Sequence, residues 1–331
     1  MKRLLYFIIA CLTIGFSAPV WSLHDDDEEL ARPSFDAWLA AFRKEAEVKG
    51  ISPATLDRAL RQVKFLPRVI ELDRKQPEFT LTLEEYLARV VNDRRVRLGR
   101  KKLREQGPRL RRIAERYGVQ PRFLVALWGI ETDYGRLTGG FNALSALATL
   151  AYDGRRSQYF RKELLNALRI VDAGHIPPEA MTGSWAGAMG QTQFMPSTFV
   201  NYAVDGDGDG HIDLWGNLDD VFASAANYLS RMGWNPRYTW GREVRLPDGA
   251  DATWIGARKT LRAWADLGVR RADGGPLPVV AGMEARLVRP DGEGGRAFLA
   301  YANYDVLLKW NRADKFAIAV GTLADRLVGR R

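Results

Sequence analysis

Apolar residues at Phe35, Trp38, Leu39 and Phe42 recur at the i, i+3, i+4, i+7 spacing of one helix face. Ser34 stands before them as an N-cap, and Ser52-Pro53 opens a second helix with proline at its first helical position. Leu81 to Gln106 reads as one long basic helix. Another begins at Val119-Gln120-Pro121 and puts Leu124, Leu127, Trp128 and Glu131 on one face. Helical spacing runs on to about Met232. After Trp234 the period drops to two. Arg242–Leu246, Pro278–Ala281, Glu284–Val288 and Ala297–Tyr301 alternate polar and apolar and predict strands of a small sheet. A short helix around Thr260–Leu267 lies between them, a turn falls at Pro290–Gly295, and Ala313–Leu327 is helical again. The pattern predicts a mostly α (α+β) chain. It has a helical lobe over 34–118, a helical core over 119–234, a small β lobe over 235–302 and a C-terminal segment over 303–331.

Composition narrows the class. With 331 residues, 46% hydrophobic, and glycine and proline dispersed, the chain is neither disordered nor collagenous, and it can bury one large core with smaller lobes. Lys and Arg number 49 against 40 Asp and Glu, a formal charge of +9 that suits many acidic partners and singles out none. Met1-Lys2-Arg3, the apolar run Leu4–Phe16 and Ser17–Ser22 form a secretory signal peptide over 1–22, which predicts export to the periplasm. Cys11 is the single cysteine and leaves with it, so disulfides and thiol catalysis are excluded from the mature chain. Ile8-Ile9-Ala10-Cys11 loosely resembles a lipoprotein box, but the apolar run continues past it, which makes a lipid anchor the weaker reading. Residues 23–33 form a polar, acidic tail.

Two constellations carry chemistry. Asp205-Gly206-Asp207-Gly208-Asp209-Gly210-His211 matches the opening of an EF-hand loop. Oxygens at positions 1, 3 and 5 converge on a hard cation, glycine at 6 allows the sharp turn and the His211 carbonyl adds a ligand. Gly216 occupies position 12, so Asp220, or alternatively Asp219, is expected to close the shell. A solvated Asp-Gly turn is the bland alternative. The second constellation is Leu124–Gly135, where Glu131 ends an apolar helical run. Desolvation there raises a carboxyl pKa, as a general acid requires, although a glutamate at a helix end also explains the pattern. Asp133 diverges from it on the helix, so no paired carboxylates are visible locally.

Glu131-Thr132-Asp133-Tyr134-Gly135 resembles the signature of the lytic murein transglycosylase B family, glycoside hydrolase family 103. Asn142–Ala151, Arg155-Arg156, Gly183–Ser197, the Asp205 loop, Asn227-Tyr228 and Gly233-Trp234 follow in family order, and the resemblance covers about 34–327. It implies a lysozyme-like core and cleavage of the β-1,4 bond between N-acetylmuramic acid and N-acetylglucosamine. Glu131 would act as the single acid/base, and 1,6-anhydromuramoyl ends would form. It further implies structural Ca²⁺, no organic cofactor, peptidoglycan strands as partner, no nucleic acid, and a monomer that can meet other wall-synthesis or hydrolysis proteins. Ser184 and Gln193 resemble sugar-binding residues, Arg155 and Arg156 a carboxylate-binding pair, and Tyr86, Tyr228, Trp310 and Asn311 cleft residues. Trp310 and Phe316 stand where the family carries tyrosines, which puts hydrogen bonding there in doubt. Tyr86, Tyr228 and Trp310 are equally suited to a core, and Ser184 to capping a turn. A lysozyme-type hydrolase and a non-catalytic wall-binding protein are the alternative readings.

Overall fold

The computed structural model describes residues 33–75 and 81–329, so the expected signal peptide with Cys11, and the expected acidic tail up to residue 32, lie outside the described residues. The described residues hold fourteen α-helices, a five-stranded sheet and a two-stranded one, the mostly α (α+β) class that the periodicity predicts. The chain divides into two compact units whose boundaries cut across the lobes expected from the pattern. Among the described residues, one comprises 33–75 and 135–221, and the other 81–134 and 222–329. The expected helical lobe is thus divided between Lys75 and Leu81, and the expected core after Tyr134 and after Val221. Compactness follows which helices pack together, and periodicity along the chain does not report that.

In chain order the helices are α1 (Phe35–Val48), α2 (Pro53–Leu60), α3 (Pro67–Arg74), α4 (Leu83–Val90), α5 (Asp93–Glu105), α6 (Gly107–Tyr117) and α7 (Pro121–Thr132). After β1 (Phe141–Asn142) come α8 (Ala143–Asp153) and α9 (Ser157–Asp172), then β2 (Thr182–Gly183), α10 (Pro196–Tyr202) and α11 (Leu218–Arg231). The β region holds β3 (Gly241–Arg245), β4 (Arg258–Thr260), α12 (Leu261–Asp266), β5 (Arg270–Arg271), β6 (Glu284–Val288) and β7 (Ala297–Ala300). Two helices, α13 (Ala302–Trp310) and α14 (Asp314–Leu327), end the fold.

Helix starts follow local chemistry. The Ser34 and Ser52 hydroxyls accept from the amides of Ala37 and Thr55, as N-caps do. The long helix expected over Leu81–Gln106 is instead two. The Asn92 side chain accepts from Arg95 N at 2.9 Å, caps α5 and breaks the run after Val90. A periodic pattern continues across such a break because the phase of the apolar face is nearly kept.

Strands β1 and β2 pair with each other, and the larger sheet is antiparallel in the order β4-β6-β7-β3-β5, with Arg242 opposite Leu299 and Leu287 opposite Leu299 on the other side. Pro278–Ala281 is not one of its strands, which corrects the second of the four expected runs. Pro278 and the preceding Pro276-Leu277 context deny the ladder a donor, and β4 and β5, too short to show alternation, take the edges. Trp264, fully buried, fills the core under this sheet with Val244, Leu261, Leu287, Leu299 and Tyr301, and its indole N–H donates to Ala285 O at 2.9 Å.

The centre of the second unit is α7. Every residue from Arg122 to Thr132 is buried, so the helix carries no polar face at all. It ends abruptly. Asp133 and Tyr134 both adopt left-handed backbone, at φ 51° and 62°, a conformation that costs a side-chain-bearing residue about 1–2 kcal/mol. Two anchors hold the turn. The Asp133 carboxylate pairs with Arg94 at 3.0 Å and Arg95 at 3.4 Å, and the Tyr134 hydroxyl donates to Arg95 O at 2.8 Å. The folded-back Tyr134 ring lies in a trough cut by two glycines. A Cβ on Gly129 would meet the ring at 2.7 Å, and one on Gly99 would meet the hydroxyl at 2.2 Å.

Gly129→Ala tests this turn. Alanine is the better helix former by about 1 kcal/mol, so a neutral site would be stabilised. Overpacking of about 1–3 kcal/mol against Tyr134 is expected to outweigh that gain and lower the thermal midpoint. An unchanged or raised midpoint would show that the trough is not needed.

Candidate functional site

Glu131 sits in the last turn of α7, 6% exposed, with Oε1 accepting from the Trp310 indole N–H at 2.7 Å. Burial pushes its pKa up from 4.5 to about 8, and the Trp310 hydrogen bond works the other way by favouring the ionised form. A carboxyl poised there holds a proton at neutral pH and can also give it up. The indole is a donor only, so it can orient the carboxyl but cannot compete for its proton. Trp310 is itself braced. Tyr228 meets it edge-on at 5.1 Å, and the Tyr228 hydroxyl donates to Lys309 O at 2.6 Å.

The doubt over hydrogen bonding at Trp310 is therefore corrected. The indole nitrogen supplies a donor where a phenol is missing. Phe316 is 1% exposed on α14 and needs no hydroxyl. Asn311 is buried and its Oδ1 accepts from Ala313 N at 3.0 Å, which shapes the entry to α14. Tyr86 is buried on the face of α4 that carries Leu83, Leu87 and Val90. Asp133, occupied by Arg94 and Arg95, is not a second catalytic carboxylate.

The remaining predicted residues lie in the other unit. Ser184 is 2% exposed, and its hydroxyl accepts from Ala188 N at 3.0 Å, closing a turn. Gln193 is left-handed at φ 51°, and its Nε2 donates to Thr138 O and Gly190 O at 3.0 and 2.9 Å. Its amide nitrogen is thus spent on the loop. Gly183–Ser197 thus folds into a turn closed by paired hydrogen bonds between Met189 and Phe194. Arg155 and Arg156 both pair with the buried carboxylate of Asp73, Arg155 at 3.4 Å. Two cations on one anion leave this trio net positive. Sequence reasoning missed Asp73, since nothing in α3 marks which acid is buried.

Asp205, Asp207 and Asp209 bring carboxylate oxygens within 4.8 Å of one another. Oxygens at 2.3–2.6 Å on opposite sides of one Ca²⁺ have about that separation, so the trio fits the ion. The side chains of His211, Asp219 and Asp220 are not in this cluster. Asp220, expected to close the shell, is fully buried, and its two oxygens accept from Gly206 N and Asp213 N at 2.7 and 2.6 Å. Its carboxylate ties the loop's ends together. Burial raises its pKa, whereas the amides of Gly210 and Gly208 lower that of Asp205. The loop's exit is pinned to the Ser184–Gln193 turn. Gln191 donates from its backbone to Leu214 O and from Nε2 to Trp215 O, and the Trp215 indole donates to Thr182 O. The His175 Nδ1 accepts from Ile212 N at 3.1 Å.

The Transglycosylase SLT domain matches residues 34–325. The chain belongs to that family. Membrane-bound lytic murein transglycosylase B of Escherichia coli (strain K12) is 34% identical over 221 residues, which is 65% of this chain. The chain spans only 58% of that relative's length. Among solved structures, SltB3 from Pseudomonas aeruginosa in complex with NAG-anhNAM-pentapeptide is 45% identical with a TM-score of 0.87, covering 90% of this chain and 80% of that one. A lytic transglycosylase of Escherichia coli in complex with calcium is 29% identical with a TM-score of 0.76, covering 88% and 92%.

The raised Glu131 pKa has a stability consequence. Between about pH 4.5 and 8 the unfolded chain loses this proton while the folded chain keeps it, so stability falls as pH rises through that window and levels off above it. Glu131→Gln removes this loss. Its midpoint is expected to exceed that of the parent by an amount that grows from pH 5 to pH 8.5, on the order of a few kcal/mol. Trp310→Phe removes the donor that favours ionisation and is expected to move the Glu131 pKa higher still, read by ¹³C NMR of the carboxyl. A constant midpoint difference across pH would contradict the buried acid.

Proposed function

We propose that this protein is an exported peptidoglycan lytic transglycosylase, acting in the periplasm in cell-wall turnover. The observation that carries the reading is Glu131: one buried carboxyl, protonated at neutral pH, oriented by an indole and with no free carboxylate beside it on its helix. Family membership and the sugar-peptide bound by the similar SltB3 support the substrate.

Glu131 donates its proton to the glycosidic oxygen between N-acetylmuramic acid and N-acetylglucosamine as the C1–O bond breaks. The resulting carboxylate takes the proton of the muramoyl C6 hydroxyl, whose oxygen attacks C1. A 1,6-anhydro end forms, the acid is regenerated and no water is consumed. One carboxyl suffices because the nucleophile belongs to the substrate and reacts intramolecularly. In this reading Ser184 and Gln193 bind sugar, and Arg155 and Arg156 hold a peptide or lactyl carboxylate with Asp73 keeping them in place. Tyr86, Tyr228, Trp310 and Asn311 shape the cleft. Asp205, Asp207, Asp209 and the His211 carbonyl hold one structural Ca²⁺, with Asp220 and Asp219 behind them. The ion stiffens the loop that carries Ser184 and Gln193.

Digestion of purified peptidoglycan is expected to release anhydromuropeptides by mass spectrometry. Reducing-end products alone would make the enzyme a hydrolase, and no soluble product would make it a wall-binding protein. Glu131→Gln is expected to lose about a hundredfold to ten-thousandfold in turnover while remaining folded.

Chelation with EDTA is expected to lower the melting temperature, and added Ca²⁺ to restore it, by about 2.7 kcal/mol at a hundredfold excess over Kd. Asp205→Ala with Asp209→Ala should abolish the response. A metal-stripped parent protein that ignores millimolar Ca²⁺ would reduce the loop to an acidic turn.

A further inference from the structure

At the start of α7 lies a cleft of about 970 Å³ that the chemistry above does not use. Pro121 lines it, and Glu131 stands ten residues along the same helix, roughly 15 Å away at 1.5 Å per residue. Its walls come from α5 and α6, the 236–239 loop, β3 and the 278–283 segment.

Four arginines line the cleft, Arg111, Arg122, Arg237 and Arg242, and no aspartate or glutamate does. Arg122 is committed to Asp325 at 3.3 Å. Arg242 donates to the Tyr301 hydroxyl, a neutral partner, at 2.5 Å. Arg111 and Arg237 are exposed and have no acidic partner among the described residues. Behind them, residues 93–117 carry eleven Lys and Arg against three Asp and Glu, so the cleft opens beside the most basic stretch of the chain. The positive end of α7 adds to this field. Apolar surface lines the same cleft: Val280 and Val328 are 40% and 45% exposed. Val279–Gly282 joins no strand, so its backbone groups are not used by the sheet beside the arginines.

This combination selects a small ligand with several carboxylates, short apolar side chains and a peptide backbone. We propose that the cleft binds the stem peptide of peptidoglycan, separately from the bond-cleaving centre, and so anchors the enzyme to peptide-bearing strands. The inference rests on the substrate class proposed above. The alanines of such a stem match the apolar walls, and its free carboxylates match the guanidinium groups of Arg111 and Arg237, which bind carboxylates in bidentate fashion.

The test uses the sugar-free pentapeptide L-Ala-γ-D-Glu-meso-diaminopimelyl-D-Ala-D-Ala, titrated calorimetrically into the parent protein and into Arg111→Glu/Arg237→Glu. Both residues are exposed, so the variant's melting temperature should be unchanged. The parent should bind, more weakly as salt is raised, and the double variant should bind at least about tenfold more weakly. KM on intact sacculi should rise in the variant by more than KM on glycan stripped of peptide by an amidase. A parent that ignores the pentapeptide, a variant that binds it equally well, or equal KM changes on the two substrates would each overturn the proposal. Loss of pentapeptide binding in the variant, with no anhydromuropeptides formed by the parent, would instead leave the anchor standing and reject the transglycosylase reading.

Discussion

The carboxyl of Glu131 occupies a place where ionisation costs on the order of 5 kcal/mol relative to water, the energetic equivalent of its displacement to about pH 8. That cost is imposed by α7, a helix with no face left to solvent. The rest of the second unit is arranged to sustain it. The helix has to stop immediately after the glutamate, and it stops through two strained left-handed residues. Asp133 and Tyr134 remain in that conformation because Arg94, Arg95 and the glycine trough hold them there. Removing the enclosure would return the carboxyl to an ordinary pKa, and with it the capacity to hold a proton at neutral pH would go.

Trp310 moderates this cost without cancelling it. Its indole N–H stabilises the ionised form that must exist once the proton has left, and its position is set by Tyr228 from a different helix. A donor that cannot accept a proton fixes the geometry of the acid and adds no competing titration. A phenol would share its own proton with the network, so tryptophan at this position gives a simpler acid.

In the first unit the same principle works through backbone. Gln193 is left-handed, Ser184 spends its hydroxyl acceptor on a turn, and the exit of the acidic loop is tied to that turn by Gln191 and Trp215. Three aspartates held within 4.8 Å of one another repel unless a cation lies among them. A cation there would stiffen the loop at Asp220 and, through residues 212–215, the turn with its two polar side chains. The paired arginines are handled similarly, since Asp73 is buried between them and keeps both guanidinium groups in place at the cost of half their charge.

Much of this was legible in the residues. The helices whose apolar positions recur at i, i+3, i+4, i+7 are where the spacing puts them, because burial of one face is decided locally. Ser34 and Ser52 cap their helices as written, and the regular Asp-Gly alternation at 205–210 folds into a cation-sized cluster because its ligands are neighbours in sequence. The ordered motifs from Glu131 to Trp234 announced the family. What the chain alone left open involved partners distant in sequence. That Glu131 is met by Trp310, that Asp73 sits between Arg155 and Arg156, that Asp220 turns to backbone amides and that residues 278–281 leave the sheet to 258–260 and 270–271 all depend on contacts between distant segments. A side chain's type fixes which hydrogen bonds it can make, but only packing decides which group is brought within 3 Å of it and how much water is left between them. The pKa of Glu131 is the product of that packing.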